Sequence, residues 1–350
     1  MHEPCDFLVG LIANPASASD VRRIMTGAAN MQTAERVSIV LRILAGLAAC
    51  GVDRVLMMPD RMGLRTMLTR SLRREQHPPL PRVDYMHLVP ASTVADTRSA
   101  ARQMEQTGVR VIIVLGGDGT HRAVVKACGE VPISGVSTGT NNAFPELREP
   151  TIVGLAAGLY ATGQMPASAA LVANKAIDVL VRHRDGTEIR DLALVDAVVS
   201  ADRHVGARAL WKPESLHAVY ATYASPEAVG LSSIGGLLLP VGRREPGGLA
   251  VHIATDPGAA QFSLNVPLAP GMMRCVPIAG WQRMIAGTPM TPQIDQGTIA
   301  LDGEREIAFG PGERISFTLR ESAFRTIDVA SCMARAASLG LFRRTSTPTT

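Results

Sequence analysis

The sequence predicts two domains, an α/β domain with a parallel sheet followed by an all-β, sandwich-like domain. The first observation is the length of 350 residues, which exceeds what one ordinary core accommodates. The second is that apolar runs of strand length alternate with helical patterns up to about residue 145, which is typical of βαβ units. The third is that later runs flank Asp-Gly and Pro-Gly turns, as antiparallel hairpins do.

The first half contains five apolar runs that we interpret as strands of a Rossmann-like parallel sheet. Helical spacing is clearest over 33–49, and Gly51 stands where a C-cap glycine belongs. The predicted strands are 7–13, 53–58, 83–89, 110–115 and 133–137, and the predicted helices are 33–49, 60–74, 92–106, 120–128 and 150–162. Residues 1–145 form the predicted α/β domain.

The second half is predicted to be β-rich, over residues 146–322. Its turns are Asp185-Gly186, Pro246-Gly247-Gly248 and Asp302-Gly303. The runs that flank them are 175–182 with 188–200, 237–241 with 249–254, and 298–301 with 306–309, and 314–320 is a further strand. We expect residues 323–344, with a helix over 332–341, to return to the first domain, and 345–350 to be a disordered tail.

Composition excludes several classes of protein. Hydrophobic residues make up 46% and charged residues 19%, as in a globular protein. The net charge of +4 is spread over scattered arginine pairs such as Arg243-Arg244, which we interpret as solvated charges. Because basic residues do not cluster with aromatics, no nucleic-acid partner is expected.

The cysteines and the uncharged stretches indicate a cytoplasmic protein. Five cysteines without a C-x-x-C pattern argue against a disulfide framework or a zinc site and favour a reducing compartment. The uncharged stretch 151–174 is interrupted by Gln164 and Pro166, so we expect a buried helix followed by a loop, and no membrane span. Residues 1–6 do not resemble a signal peptide.

The strongest local signal is Gly116-Gly117-Asp118-Gly119-Thr120, between a predicted strand and a predicted helix. This is the carboxyl end of a parallel strand, where open α/β sheets bind ligands. Adjacent glycines let backbone N–H groups approach a phosphate. Since local packing between glycines requires no carboxylate, Asp118 is the candidate catalytic base or magnesium ligand, directly or through water. The alternative is a tight turn with a helix-capping Asp.

A second polar loop follows the next predicted strand. Its candidate nucleotide-binding residues are Thr138, Gly139, Thr140, Asn141 and Asn142, whose side chains suit ribose and base edges. The same segment contains Gly135-Val136-Ser137-Thr138-Gly139, which satisfies the G-x-S-x-G pattern of hydrolases. Pro145 truncates the helix that a hydrolase needs there, and no histidine is paired with the serine by any further signal.

Taken together, these elements resemble the superfamily of NAD kinases and diacylglycerol-type lipid kinases, and within it the acetoin-catabolism protein X branch. The opening strand with Asn14-Pro15 resembles the superfamily's N-P loop, and 116–120 its G-G-D-G-T motif. Residues 137–145 resemble the branch's S-T-G-T-N-N-x-F-P, and Asp302-Gly303-Glu304 the late D-G-E. The resemblance covers roughly residues 7–330.

This resemblance implies a kinase with its site in the cleft between the domains. It implies ATP or polyphosphate as donor, magnesium as cofactor, NAD or a related metabolite as acceptor, and a homo-oligomer, dimer or tetramer. Asp118 would be the catalytic carboxylate, and Asn14 would join the phosphate loop. By position, Asp196, Ser232, Asp302 and Glu304 would bind substrate.

The chain departs from the NAD kinase pattern on the substrate side. Leu194-Val195-Asp196 occupies the position of an Asn-Glu pair that holds the dinucleotide, and 225–232 is a reduced form of T-P-T-G-S-T-A-Y. Two alternatives therefore stay open beside an NAD-type kinase. One is a lipid kinase, and the other is a non-enzymatic nucleotide sensor or regulator on the kinase scaffold.

Overall fold

A computed structural model describes residues 9–13, 31–73, 79–138, 142–202, 213–303 and 305–343. The predicted tail 345–350 lies outside the described residues. The helices are α1 (Thr33–Ala49), α2 (Leu64–Leu72), α3 (Val94–Thr107), α4 (Asp118–Val125), α5 (Pro150–Ala161), α6 (Ala167–Ala170), α7 (Ser232–Leu238) and α8 (Val329–Leu339). In the described part of the chain, no helix has the length and apolarity needed to cross a membrane.

Sixteen strands are described. They are β1 (Val9–Ala13), β2 (Arg54–Met57), β3 (Arg82–Tyr85), β4 (Val111–Gly116), β5 (Ile133–Ser137), β6 (Leu171–Arg182), β7 (Glu188–Ala193), β8 (Asp196–Ser200), β9 (Leu216–Ala221), β10 (Gly248–Ile253), β11 (Phe262–Ala269), β12 (Met272–Met284), β13 (Pro289–Met290), β14 (Gly297–Leu301), β15 (Arg305–Phe309) and β16 (Arg314–Ile327).

The first sheet begins as a parallel Rossmann-like sheet, as predicted. Its order is β3-β2-β1-β4-β5-β16-β6-β7, with β13 paired to β16, and the pairs from β3 to β5 are all parallel. One face is covered by α1, α2, α5 and α8, and the other by α3 and α4. The alternation of buried strands with amphipathic helices thus gives layers on both faces.

The second sheet is antiparallel, with the order β11-β12-β10-β9-β8-β14-β15. It packs against the far half of the first sheet, and their shared core includes Ile177, Tyr220 and Phe317. Tyr220 stacks on Phe317 with ring centroids 4.2 Å apart. This packing confirms the predicted sandwich-like second domain.

Several segments differ from the sequence prediction. The predicted strand 188–200 is two strands, because the chain leaves the first sheet after Ala193 and enters the second at Asp196. The predicted strand 237–241 is wrong, since α7 continues to Leu238 and only an isolated bridge joins Val241 to Ala224. The predicted loop before residue 174 is short, because β6 begins at Leu171.

Candidate active site

The loop after β4 is built so that backbone can approach its neighbours closely. A Cβ on Gly116 would lie 2.5 Å from the Cβ of Thr120, which is itself buried. A Cβ on Gly117 would lie 2.8 Å from Oδ1 of Asn142 in the loop after β5. Space and not backbone angle therefore favours glycine at both positions, and a side chain at Gly117 would displace the end of the Asn142 side chain. Gly119 lies in the first turn of α4 and is buried.

Asp118 is the first residue of α4, and its side chain is directed to the loop after β5. Its Oδ2 accepts the N–H of Ala143 at 3.0 Å, and its Oδ1 accepts the N–H of Phe144 at 2.8 Å. The residue is only 6% exposed. The expectation that local packing requires no carboxylate here is wrong, because two backbone donors of another loop depend on it.

The second loop joins the first at the carboxyl edge of the sheet, where Gly116 and Ser137 are register partners. Asn142 donates from Nδ2 to Oγ of Ser137 at 2.9 Å. Thr138 directly follows β5 and is half-buried. The candidate residues Asn14, Gly139, Thr140, Asn141 and Glu304 lie outside the described residues.

The carbonyl side of this second loop is held by the C-terminal domain. Tyr223 donates its hydroxyl to the carbonyl of Ala143 at 2.5 Å. Arg243 donates to the carbonyls of Ala143 and Phe144, the latter at 2.8 Å, and lies 4.5 Å from the centre of the Tyr223 ring. The loop is thus bound through its N–H groups by one domain and through its carbonyls by the other.

Three predicted carboxylates come together around Tyr223. Burial raises the pKa of the Tyr223 phenol, Arg243 opposes this, and Asp118, Asp196 and Asp302 add to it. The structure therefore brings these acidic residues into one neighbourhood although up to 184 positions separate them in the sequence.

Asp302 lies in the β14–β15 turn, with φ of +49°. Its carboxylate accepts the N–H groups of Leu194 at 3.0 Å and Val195 at 2.8 Å, at the crossing from β7 to β8. Its own N–H donates to the carbonyl of Asp196 at 2.9 Å. Burial raises the pKa of Asp302, while Arg122 on α4, with Nη1 3.5 Å from Oδ2, opposes that shift. Asp302 therefore fixes the strand end at which Asp196 begins β8.

A cavity of about 520 Å³ opens beside the loop after β5. It is lined by Asn142, Ala143 and the segments 223–229 and 240–243. Ser232, predicted to bind substrate, is buried at the start of α7 and is not part of this lining. Asn142 and Ala143 thus belong to the wall of the cavity, and Asp118 lies directly behind that wall.

Similar sequences and structures are known for this chain. The model of the ATP-NAD kinase N-terminal domain matches residues 9–165, and that of the acetoin catabolism protein X C-terminal domain matches residues 175–322. Acetoin catabolism protein X from Cupriavidus necator is 58% identical over 343 residues, which are 97% of this chain and 95% of that protein. The chain belongs to the acetoin catabolism protein X family. Yeast NADH kinase complexed with NADH is a similar solved structure, with 12% identity and a TM-score of 0.49 over 98% of this chain and 90% of that one.

This member of the acetoin catabolism protein X family carries one candidate metal ligand, Asp118. In the described part of the chain, no three His, Cys, Asp or Glu residues are grouped so that they could hold an ion. Mg²⁺ is commonly bound through one or two carboxylates together with substrate phosphates. A single carboxylate therefore fits a magnesium ion that is bound together with a nucleotide. It does not fit a site in which protein residues supply all the ligands.

Sequence reasoning missed the residues that hold the second loop from the C-terminal domain. We interpreted Arg243 as a solvated charge, and this is wrong, because its guanidinium binds two buried-loop carbonyls. Tyr223 was not singled out, although it is one of only four tyrosines in a chain with 4% aromatics. The rarity of tyrosine in this sequence was the signal that could have drawn attention to Tyr223. No such signal existed for Arg243, because its role depends on tertiary contacts.

Proposed function

We propose that this protein is a kinase that transfers a phosphoryl group from ATP, or from polyphosphate, to a hydroxyl of NAD or a related metabolite. One observation carries the proposal: the glycine loop after β4 and the polar loop after β5 meet through Asp118 at the wall of a cavity between the domains. A helix N-terminus with free backbone N–H groups is a general site for phosphate. A cavity of about 520 Å³ has the size of ordinary small-molecule sites.

Asp118 has the chemistry that such a transfer needs. Each carboxylate oxygen accepts one amide N–H, and a carboxylate oxygen can accept more than one hydrogen bond. In the proposed reaction the acceptor hydroxyl donates its proton to Asp118, its oxygen bonds to the γ-phosphorus, and the bond to the β,γ-bridging oxygen breaks to release ADP. Magnesium bound with the nucleotide would neutralise the charge that develops on the phosphates.

One observation favours the second candidate, a nucleotide-binding regulator without transferase activity. Asp118 is 6% exposed and both of its oxygens are hydrogen-bonded to backbone, as in a structural carboxylate. Such a protein would bind nucleotide at the same loops and transfer nothing. The two candidates agree on binding and differ on turnover.

Nucleotide binding is tested by replacing Gly117. The backbone angles at Gly117, φ −92° and ψ −170°, suit any residue, so Gly117→Val alters space and not conformation. The valine Cβ would meet Oδ1 of Asn142 at 2.8 Å and cover the backbone N–H groups. We expect the variant to lose affinity for ATP with magnesium by at least about tenfold in isothermal titration, the loss of roughly one good hydrogen bond.

The matched control is Gly310→Val, because a Cβ at Gly310 meets no atom within 4 Å. This control should bind ATP like the wild type. Undiminished affinity in Gly117→Val, or no ATP binding by the wild-type protein, would contradict the proposed phosphate site.

A further inference from the structure

Lys175 is a buried cation whose side chain forms hydrogen bonds to one turn of the backbone. It lies on β6 and is 8% exposed. Its Nζ donates to three carbonyls, those of Gly242 at 3.1 Å, Glu245 at 2.8 Å and Gly247 at 2.7 Å. An ammonium group has three N–H donors, so all three are used within residues 242–247. We call residues 242–247 the Lys175-bound turn.

The Lys175-bound turn carries Arg243, whose guanidinium binds the carbonyls of Ala143 and Phe144. The N–H groups of the same two residues bind Asp118. Lys175, Arg243, Phe144 and Tyr223 border one small void of about 10 Å³, so the contacts form a continuous packed unit. A chain of hydrogen bonds therefore runs from β6 through the turn to the candidate catalytic carboxylate.

We propose that Lys175 is a positioning residue of the active site, which holds Arg243 against the loop after β5 and thereby holds that loop on Asp118. No contact of Lys175 with substrate is needed, because it acts through the Lys175-bound turn. The importance of these hydrogen bonds for catalysis rests on the proposed function. Their effect on the stability of the loop after β5 does not. The two are therefore tested by different measurements.

The coupling is tested by hydrogen exchange of backbone amides without nucleotide at pH 7. Burial lowers the pKa of Lys175 to about 8, against the opposing charges of Glu321 and Glu245, so the ammonium form predominates at that pH. Lys175→Met keeps the length and removes the donors. We expect amide exchange at Ala143 and Phe144 to become about tenfold faster, the equivalent of one net hydrogen bond.

Arg283→Met is the matched control. Arg283 contacts the same turn from outside, through the side chain of Glu245 at 2.7 Å. It should leave exchange at Ala143 and Phe144 unchanged. Arg243→Met should accelerate those two amides as much as Lys175→Met does, and the double variant should add nothing, because Lys175 acts through Arg243.

Several results would overturn the proposal. Unchanged exchange at Ala143 and Phe144 in Lys175→Met, additive effects in the double variant, or equal acceleration throughout the core strand β4 would each do so. If Lys175→Met does not fold, Lys175→Gln, which retains one donor group, gives the same comparison. Failure of the wild-type protein to bind ATP would contradict the proposed function. It would not affect the hydrogen-exchange result, which tests the role of Lys175 separately.

Discussion

At the scale of single residues, Asp118 has a structural role that the structure shows and a catalytic role that we propose. The sequence placed Asp118 between glycines, and its two amide partners, Ala143 and Phe144, lie 25 and 26 positions away. The local sequence pattern does not predict these hydrogen-bond donors, because they belong to the loop after the neighbouring strand. The motif could therefore be recognised from sequence, whereas the hydrogen bonds of its carboxylate could not.

His121, one residue after the motif, is a buried group with a predictable pH effect. It is fully buried, its Nδ1 is 2.8 Å from the carbonyl of Gly117, and burial lowers its pKa from 6.5 to about 4. The folded state therefore disfavours the charged ring. Stability is complete above pH 6.5 and is lost as the pH falls from 6.5 towards 4, because the unfolded chain binds the proton first.

When the pH is lowered from 7.5 to 4.5, the free energy of unfolding should decrease in both proteins. We expect the decrease in His121→Gln to be smaller than in the wild type by on the order of 2–3 kcal/mol. Urea denaturation at the two pH values measures this difference. The exposed His87 provides the control, and His87→Gln should retain the pH dependence of the wild type. Parallel pH dependences in His121→Gln and the wild type would contradict the buried neutral state of His121.

At the scale of elements, α4 is a charged connector between the domains. Asp118 and Arg122 of α4 and its C-cap residue Lys126 follow at intervals of four, so they lie on one side of the helix. Asp118 binds the loop after β5, Arg122 binds the β14–β15 turn, and Lys126 binds Asp191 on β7 at 2.7 Å. The sequence predicted this helix, but the spacing of its charges alone would have indicated a solvated face.

Arg122→Met should strongly destabilise the protein. The change removes the donor to the carbonyl of Leu301 and leaves Asp302 fully buried without its cation. Breaking a buried pair in this way typically costs about 3–5 kcal/mol. Thermal and urea unfolding measure the change, and Asp302→Asn in the same background should recover part of it.

The control for Arg122 is an exposed ion pair of the same chain. Arg320 pairs with Asp178 at 2.9 Å, and their side chains are 47% and 45% exposed. Arg320→Met should cost no more than about 1 kcal/mol, as for surface pairs in general. Equal losses in the two variants would show that Arg122 does not act as a buried connector.

Element prediction from sequence succeeded where one periodicity dominated the pattern. β4 is a continuous apolar run, and β14–β15 flank an Asp-Gly turn, so their types were clear. It failed over 237–241, where an apolar run of leucines fits a helix end as well as a strand. The strands β9, β11, β12 and β13 were not predicted, although Pro270-Gly271 between β11 and β12 was an available turn signal.

At the scale of the whole molecule, the two sheets meet so that the site is built from both. β16 is shared, since it pairs with β5 in the parallel half and with β6 in the sandwich half. The cavity wall combines Asn142 and Ala143 of the first domain with segments 223–229 and 240–243 of the second. The loops after β4 and β5 were predictable from motifs, whereas this second wall arises from tertiary packing and was not.

The catalytic role proposed for Asp118 is measured by the formation of NADP from ATP and NAD with magnesium. Asp118→Asn is compared with Asp185→Asn, another Asp-Gly position, in an exposed turn. An Asn amide would face one backbone N–H, so a loss of about 1–3 kcal/mol in stability is expected, and the assay is run well below the measured melting temperature.

We expect the wild type and Asp185→Asn to form NADP at equal rates. Asp118→Asn should turn over more slowly by roughly two to four orders of magnitude, the usual contribution of a positioned base. Full turnover in folded Asp118→Asn would contradict the catalytic role of this residue. A wild-type protein that binds ATP and NAD but forms no NADP would contradict the proposed reaction and favour the regulatory function.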